Sequence, residues 1–335
     1  MRILVTGAAG FIGSAVMREA LARGHAPVGY DALTYAAVPG SLDGVDAPLI
    51  EADIRDADAL RATIAEHRPD TILHLAAQSH VDRSIDGPGE FISANVEGTF
   101  RVLEAGREAG LRVVHVSTDE VFGSLGADDA AFSETTPYDP SSPYSASKAA
   151  SDHLARAWGR TYGLDVVVTN CSNNYGPRQH PEKLIPTVIL CALHGAPIPV
   201  YGTGENVRDW LFVEDHARAL LDVAERGETG ETYCVGGDAE RTNLDVVRAI
   251  CAAMDARRPD TAPHGNLVSF VADRPGHDLR YAIDAGHIRE TLGWTPSVGF
   301  EDGLARTVDW YLQNRGWWEP VVANGKLAAR LGLAA

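Results

Sequence analysis

Lysine is almost missing from this chain. Three lysines, Lys148, Lys183 and Lys326, stand against 26 arginines in 335 residues, so arginine is the default surface cation and each lysine calls for its own account. Cations of both kinds are outnumbered, 29 against 46 acidic residues, and the formal charge is -17. So acidic a surface disfavours both the phosphates of nucleic acid and an anionic lipid face, which leaves a small molecule as the expected partner. Cysteine is also scarce. Cys171, Cys191, Cys234 and Cys251 lie far apart with no C-x-x-C pair, a spacing that indicates neither a zinc site nor a disulfide framework and fits a reducing compartment. No metal is expected. There is no run of about 18 apolar residues, and residues 1–16 lead straight into a strand and a glycine turn, without the basic start and apolar core of a signal peptide. The expected location is the cytoplasm.

A chain of this length, 45% hydrophobic and 22% charged, can bury a large core and accommodate two closely joined domains. Arg2–Thr6 reads as a strand, Ala15–Arg23 as a helix, and a second strand ends at Asp31. The alternation continues with helix at Ala59–Glu66, strand at Thr71–Leu75, helix at Phe91–Ala109, strand at Arg112–Ser117, helix at Lys148–Tyr162 and strand at Asp165–Thr169. Strands alternating with helices predict an α/β fold with a doubly wound parallel sheet. Beyond residue 172 the pattern loosens around Pro177, Pro181, Pro186, Pro197, Pro199 and Gly202, where irregular backbone can line a cleft. The predicted division is a nucleotide-binding Rossmann domain over 1–172, with 203–235 returning to it. A smaller, interleaved C-terminal substrate-binding lobe then comprises 173–202 and 236–335.

Gly7, Gly10 and Gly13 form G-x-x-G-x-x-G between the first strand and the first helix. Glycines there permit a tight turn and let backbone N–H groups and the positive helix end approach a pyrophosphate. Asp31 closes the second strand, where its carboxylate can accept from ribose hydroxyls and would repel a 2′-phosphate, so NAD is expected over NADP. Asp53 and Ile54, after the third strand, are candidates to flank the adenine. Tyr144 and Lys148 stand four residues apart at a helix start and so share one face. A phenol can act as a base near neutrality if a nearby ammonium favours its anion, by about 1–3 pH units for a close charge.

Gly7–Gly13, Asp31, Leu75-Ala76-Ala77, Ser117-Thr118 and the Tyr144/Lys148 pair together resemble the extended short-chain dehydrogenases that act on nucleotide sugars. Thr118-Asp119-Glu120 narrows the resemblance: consecutive carboxylates at the end of the strand before the tyrosine are similar to the signature of the dTDP-glucose 4,6-dehydratases, and 4-epimerases lack them. Ser79–Ser84, Cys171–Pro177, Pro181–Pro186, Val207–Trp210, Thr242–Asp245 and Asp273–Tyr281 resemble the same family. One departure is Gln78, which stands where many relatives carry Glu.

The resemblance implies an NAD site that also takes in Phe11, Ile12, Leu33, Thr34, Ser79 and, beside the nicotinamide, Asn174. Tyr144 and Lys148 belong to it as well. It implies a sugar-nucleotide site of Ser79, Thr118, Asn173, Lys183, Leu184, Pro199, Tyr201, Arg208, Asn243, Arg274, His277 and Tyr281. Arg208 and Arg274 suit bidentate phosphate contacts, and Tyr201 suits stacking on or flanking the base. The implied chemistry is oxidation at C4 with Tyr144 as base, Thr118 bonded to O4 and Lys148 assisting. Loss of water across C5–C6 follows, with Glu120 as base and Asp119 as acid, and then reduction at C6. Adjacent strand residues face opposite ways, so these two carboxyls can act together only if the chain leaves the strand at that point. Another nucleotide-sugar dehydratase or an epimerase would share the fold. So would a non-catalytic NAD sensor, which would have no use for all four reactive side chains. Apolar residues on more than one face of the Phe91–Ala109 and Lys148–Tyr162 helices predict a homodimer.

Overall fold

Ile3–Val5, Ile72-Leu73, Val113-Val114 and Val166–Val168 are unbroken apolar runs, buried throughout. Such runs suit strands covered on both faces, which is the setting of a parallel sheet. The computed structural model describes residues 1–38, 40–273 and 276–323.

In chain order, β1 (Arg2–Thr6), α1 (Phe11–Ala22), β2 (Ala26–Asp31) and β3 (Leu49–Glu51) are followed by α2 (Ala57–His67) and β4 (Thr71–His74). Two short helices, α3 (Val81–Asp86) and α4 (Pro88–Phe91), lead through a π-helical stretch at Ile92–Gly98 into α5 (Thr99–Ala109). Next come β5 (Arg112–Thr118), α6 (Pro143–Tyr162), β6 (Val166–Cys171), β7 (Asn173–Tyr175), α7 (Leu184–His194), β8 (Ile198–Tyr201) and β9 (Val207–Phe212). The chain continues through α8 (Val213–Arg226), β10 (Thr232–Val235), β11 (Glu240–Thr242), α9 (Asn243–Arg257) and β12 (Val268–Val271). It closes with α10 (Gly286–Leu292), α11 (Phe300–Gln313) and α12 (Arg315–Ala323).

The large sheet runs β10-β6-β5-β4-β1-β2-β3, with every pairing parallel. This is a doubly wound Rossmann sheet. Its order reverses between β1 and β4, where the carboxyl ends of the strands part to form a crevice. One face carries α1 and α8, with Val16 and Leu220 in a core that also takes in Ile288 and Trp294. The other face packs Val102, Leu103 and Ala155 against Leu4, Ile72 and Val166. A separate core joins α7, α9 and α11 through Val188, Ile250 and Val308, beside small sheets of order β11-β9-β7 and β12-β8. A single residue, Ser172, carries the chain from β6 in the large sheet to β7 in a small one. Residues 207–212 lie in that small sheet, whereas α8, β10 and α10 lie on the large one. Among the described residues, no helix is long and apolar enough to cross a membrane.

The helix read over Phe91–Ala109 is not one regular helix. Its first half is α4 and the π-helical stretch, where buried Asn95 donates to the Gln78 carbonyl at 2.9 Å and to Ser147 Oγ at 2.9 Å, and accepts from the Gln78 N–H at 2.7 Å. Single π-helical turns inside helices frequently mark functional sites, and this one aligns α5 with the loop after β4.

Candidate active site

Gly7 lies at φ +71°, and a Cβ there would sit 2.8 Å from the Ala76 nitrogen; at Gly13 it would sit 2.0 Å from the Gly7 carbonyl oxygen. The turn, α1 and the end of β4 meet backbone to backbone, which is the approach the three glycines allow. At Gly10 the limit is looser, 3.2 Å to the Gly7 oxygen. The twelve-residue α1 begins there with no side-chain cap, so its first N–H groups point at the crevice. The Asp31 carboxylate accepts from Ala9 N at 2.9 Å and Leu33 N at 2.8 Å, and each oxygen keeps acceptor capacity. Burial pushes its pKa up, against those two bonds. Leu33, at φ +48° and exposed, does not line the cleft; it contributes its backbone N–H. These features fit a bound dinucleotide.

The crevice is a cleft of about 340 Å³ that Gly7, Gly10, Phe11, Ile12, Gly13, Asp31 and Thr34 line together with Asp53 and Ile54. Arg55 bridges Asp53 at 2.6 Å and holds its carboxyl below the usual range. Leu75, Ala76, Ala77 and Ser79 form the wall after β4, and Asn173, Asn174 and Lys183 close the cleft from the other lobe. The Lys183 ammonium donates to the Ser79 carbonyl at 3.2 Å across that gap.

Thr118, Asp119, Glu120, Tyr144 and Lys148 meet at the inner end of the same cleft. A capping box sets the helix carrying the last two: Ser142 and Ser145 exchange side-chain-to-backbone bonds of 3.0 Å each, with Pro143 in the first turn. Tyr144 therefore enters in the first turn and Lys148 one turn later. β5 ends at Thr118, and Asp119–Phe122 turns into a 3₁₀ helix whose Glu120 N–H reaches Thr118 Oγ1 at 3.3 Å. The chain thus leaves the strand just before the two carboxyls, as joint action requires. Gly123, at φ +89°, completes the exit; a Cβ there would lie 2.5 Å from the Asp139 carbonyl oxygen.

Electrostatics separates the two carboxyls. Asp119 is 1% exposed, and burial, then the Glu120 charge beside it, drives its pKa well above the usual range despite Arg208. Thr118 Oγ1 lies 3.3 Å from Asp119 Oδ1, and Asp119 Oδ2 is a buried oxygen that meets no hydrogen-bonding group among the described residues. Tyr144 is likewise held as a phenol by burial and then by Glu120, with Thr118 hydrogen bonding in opposition. The ammonium of Lys148 donates to the Val116 carbonyl at 2.9 Å, which ties it to β5 at the inner end of the cleft.

The other described residues expected to hold a sugar nucleotide do not line that cleft. The Arg208 guanidinium stacks 4.1 Å over the Tyr281 ring and donates to the Asp278 carbonyl at 3.0 Å; Tyr281 donates to the Asp278 carboxylate. Both face the carboxyl pair, since Arg208 acts on Asp119 and Glu120 on Tyr281. Asn243 opens α9, its N–H bonded to Asn206, whose side chain donates to the same Asp278 carbonyl at 3.1 Å. Tyr201 and His277 meet edge to face at 6.3 Å, with His277 2.6 Å from Asp273. Leu184 starts α7, and Pro199 lies on β8 opposite Ser269. Arg274 lies outside the described residues.

Three groups escaped the sequence reading. Asn174 is oriented by buried His216, 2.9 Å away, and by Gln179, which donates to its carbonyl at 2.8 Å. At the cleft mouth Glu182 gathers His80, His180 and Arg83, and Arg83 stacks 3.9 Å over Tyr35, tying the loop after β2 to the segment before α7. Beneath Lys148 lies a buried set of Asp152, His115 and Asn170. Only the closeness of these residues to the motifs could have signalled them.

The chain matches the GDP-mannose 4,6 dehydratase family over residues 4–307. It is 54% identical to the dTDP-glucose 4,6-dehydratase of Neisseria meningitidis serogroup B, over 99% of both chains. Its fold is similar to DesIV, the dTDP-glucose 4,6-dehydratase of Streptomyces venezuelae solved with NAD and dTDP bound, at a TM-score of 0.90 and 48% identity, covering 96% of this chain and 100% of that one. The NAD complex of the Bacillus anthracis dTDP-glucose 4,6-dehydratase gives 0.86 and 41%, covering 96% and 99%. With whole-length identity of this order and one shared architecture, the chain belongs to the dTDP-glucose 4,6-dehydratase family, within the nucleotide-sugar dehydratases.

Proposed function

We propose that this chain is a hydro-lyase that converts dTDP-glucose into dTDP-4-keto-6-deoxyglucose and water. The observation that carries the reading is the pair at the end of β5: a buried carboxyl kept neutral beside a second carboxylate, across one cleft from Tyr144 and Lys148. An elimination needs one acid and one base in different protonation states, and burial supplies the difference.

Bound NAD would supply the oxidant for C4 and, once reduced, the reductant for C6. Tyr144, ionised where the Lys148 ammonium and the cofactor's positive charge offset the burial and the Glu120 charge that favour its phenol, takes the proton of the 4-hydroxyl while Thr118 holds O4. The ketone acidifies the C5 proton, which Glu120 removes, and Asp119 gives its proton to the departing C6 oxygen so that water leaves. Glu120 returns a proton to C5 as C6 is reduced. Arg208 and Tyr281, next to the carboxyl pair, hold the substrate's diphosphate arm, with Asn173, Lys183, Leu184, Pro199, Tyr201, Asn243 and His277 along it.

The cofactor half comprises 1–172 with the return through α8, β10 and α10, and the remaining chain, β9 included, forms the sugar-nucleotide lobe. The enzyme works in the cytoplasm and pairs with a second copy across α6 and the π-helical stretch that leads into α5, a face supported by exposed Ile92 and Tyr162. Sedimentation at micromolar concentration should show a dimer; a monomer there would remove that element. The test of the activity is incubation with dTDP-glucose, UDP-glucose and GDP-mannose in parallel, reading the absorbance of a 4-keto sugar in alkali. Product from dTDP-glucose at the highest kcat/KM is expected. Turnover of another nucleotide instead would reassign the substrate, and epimerised sugar without loss of water would end the dehydratase reading.

A further inference from the structure

Lys148 is a fully buried cation, and burial pushes its ammonium toward the neutral amine. The proposed oxidation needs it charged. The titratable groups around it come from four elements: Tyr144 and Asp152 on α6, His115 on β5, His74 on β4 and Cys171 on β6. Burial holds His74 and His115 neutral, pushes the Cys171 thiol far up, and keeps Tyr144 a phenol. Asp152 alone is left to supply negative charge.

The surroundings of Asp152 are built to keep it ionised. Although the side chain is 0% exposed, His115 Nε2 lies 3.0 Å from Oδ1, while the Tyr138 hydroxyl donates to Oδ2 at 2.8 Å and the Asn170 amide at 3.3 Å. The histidine tautomer follows from its other neighbour. Ser151 spends its proton on the Lys148 carbonyl at 2.8 Å, so at 3.1 Å it can only accept from His115 Nε2, which must carry the hydrogen. Hydrogen bonding from His115 and the charge of Lys148 overcome burial and lower the pKa of Asp152. The Asn170 amide also donates to the Thr118 carbonyl at 3.0 Å, so one side chain braces both this carboxylate and the point where β5 turns out toward Asp119.

We propose that Asp152 is a positioning residue of the reaction: a buried counter-ion one helical turn beyond Lys148 that keeps its ammonium charged while that ammonium's hydrogen bond goes to Val116, leaving it at the cleft beside Tyr144. This rests on the reading of Tyr144 and Lys148 as the oxidation pair. A direct ion pair would draw the lysine down the helix, away from the phenol. A counter-ion at one remove, itself tied by three donors, gives the charge without taking the position.

The scarcity of lysine makes the test direct. With only three lysines, protein labelled with ¹⁵N-lysine gives three side-chain signals, and the Lys148 signal is the one lost in Lys148→Met. In the NAD-loaded protein Lys148 should be charged at neutral pH. In Asp152→Asn its titration midpoint should fall by about one pH unit or more, and Asp152→Glu should restore most of it. The same Asp152→Asn protein should lose about 10- to 100-fold in kcat at pH 7.5 with KM for dTDP-glucose changed less than about threefold. The alkaline limb of its kcat profile should move down with the lysine midpoint. An unchanged midpoint in Asp152→Asn overturns the proposal. Should neither variant fold, a native Lys148 already neutral at pH 7 overturns it and a charged one supports it. Failure of the parent enzyme on dTDP-glucose, with Lys148 titrating as expected, would count against the substrate reading instead.

Discussion

The glycine turn after β1 and the acidic turn after β5 open onto the same cleft, yet they are built on opposite plans. The first offers backbone: three glycines within seven residues, an uncapped helix end and one carboxylate whose bonds are both to main-chain N–H groups. The second offers side chains whose properties come from elsewhere. Asp119 owes its proton to burial, Tyr144 its phenol form to burial and to Glu120, and Lys148 its charge to a carboxylate bonded by β5, β6 and the loop before α6. Binding a pyrophosphate needs close approach, which local sequence provides. Splitting acid from base needs unequal desolvation, which only packing provides.

Substitutions at the acidic turn should therefore change chemistry, and those at the glycine turn should change cofactor choice. The largest effect is expected for Tyr144→Phe. It should lower kcat toward the upper end of the 10²–10⁴-fold range for loss of a positioned base, with no solvent deuterium entering C5, because no ketone forms to acidify that proton. Mass spectrometry of recovered dTDP-glucose reads this directly, and C5 exchange in the variant would place the first proton transfer on another group.

Glu120→Gln and Asp119→Asn should each cost about 10²–10³-fold, and they should differ in kind. The Gln variant should block C5 exchange, whereas the Asn variant should oxidise the sugar and wash out C5 hydrogen while losing water slowly. If both turn over like the parent, the two carboxyls are bystanders and the contrast between the two turns collapses.

A smaller change is expected at Asp31. Asp31→Ser removes the carboxylate that a 2′-phosphate would meet, so the preference for NAD over NADP should shrink by on the order of tenfold, ~1.4 kcal/mol. Paired Kd measurements on both cofactors decide it. Catalytic rate with saturating NAD should stay within a few-fold of the parent.

The smallest effect concerns stability. The folded pKa of Asp119 is raised, so below about pH 4 the carboxyl is protonated in both states and contributes no pH dependence. As pH rises past that point the unfolded chain releases the proton and the fold resists, so this group weakens folding progressively until its raised folded pKa is reached. Asp119→Asn, which cannot ionise, should melt about 2 °C or more above the parent at pH 7 and within error of it at pH 3.5. A variant that melts lower at pH 7 would mean that Asp119 is ionised in the fold, and the acid role would pass to another group.

The sequence by itself determined the parts that act over a few residues. Alternating apolar runs specify a doubly wound sheet, three glycines and Asp31 specify a dinucleotide turn, and a spacing of four puts Tyr144 and Lys148 on one face. Ser142-Pro143 starts their helix because serine caps and proline fits the first turn. The π-helical stretch at Ile92–Gly98 was not legible, since it answers to Asn95 bonding across to Gln78 and Ser147. Nor was the bond from Arg208 to Asp278, which lie 70 residues apart in the chain. Asp119 and Glu120 show the division most clearly. Their order in the chain marks them as a pair, but which one keeps its proton depends on how much water each retains, and that is decided by strands and loops far away in sequence packing over Asp119 while Glu120 stays only half-buried at the cleft.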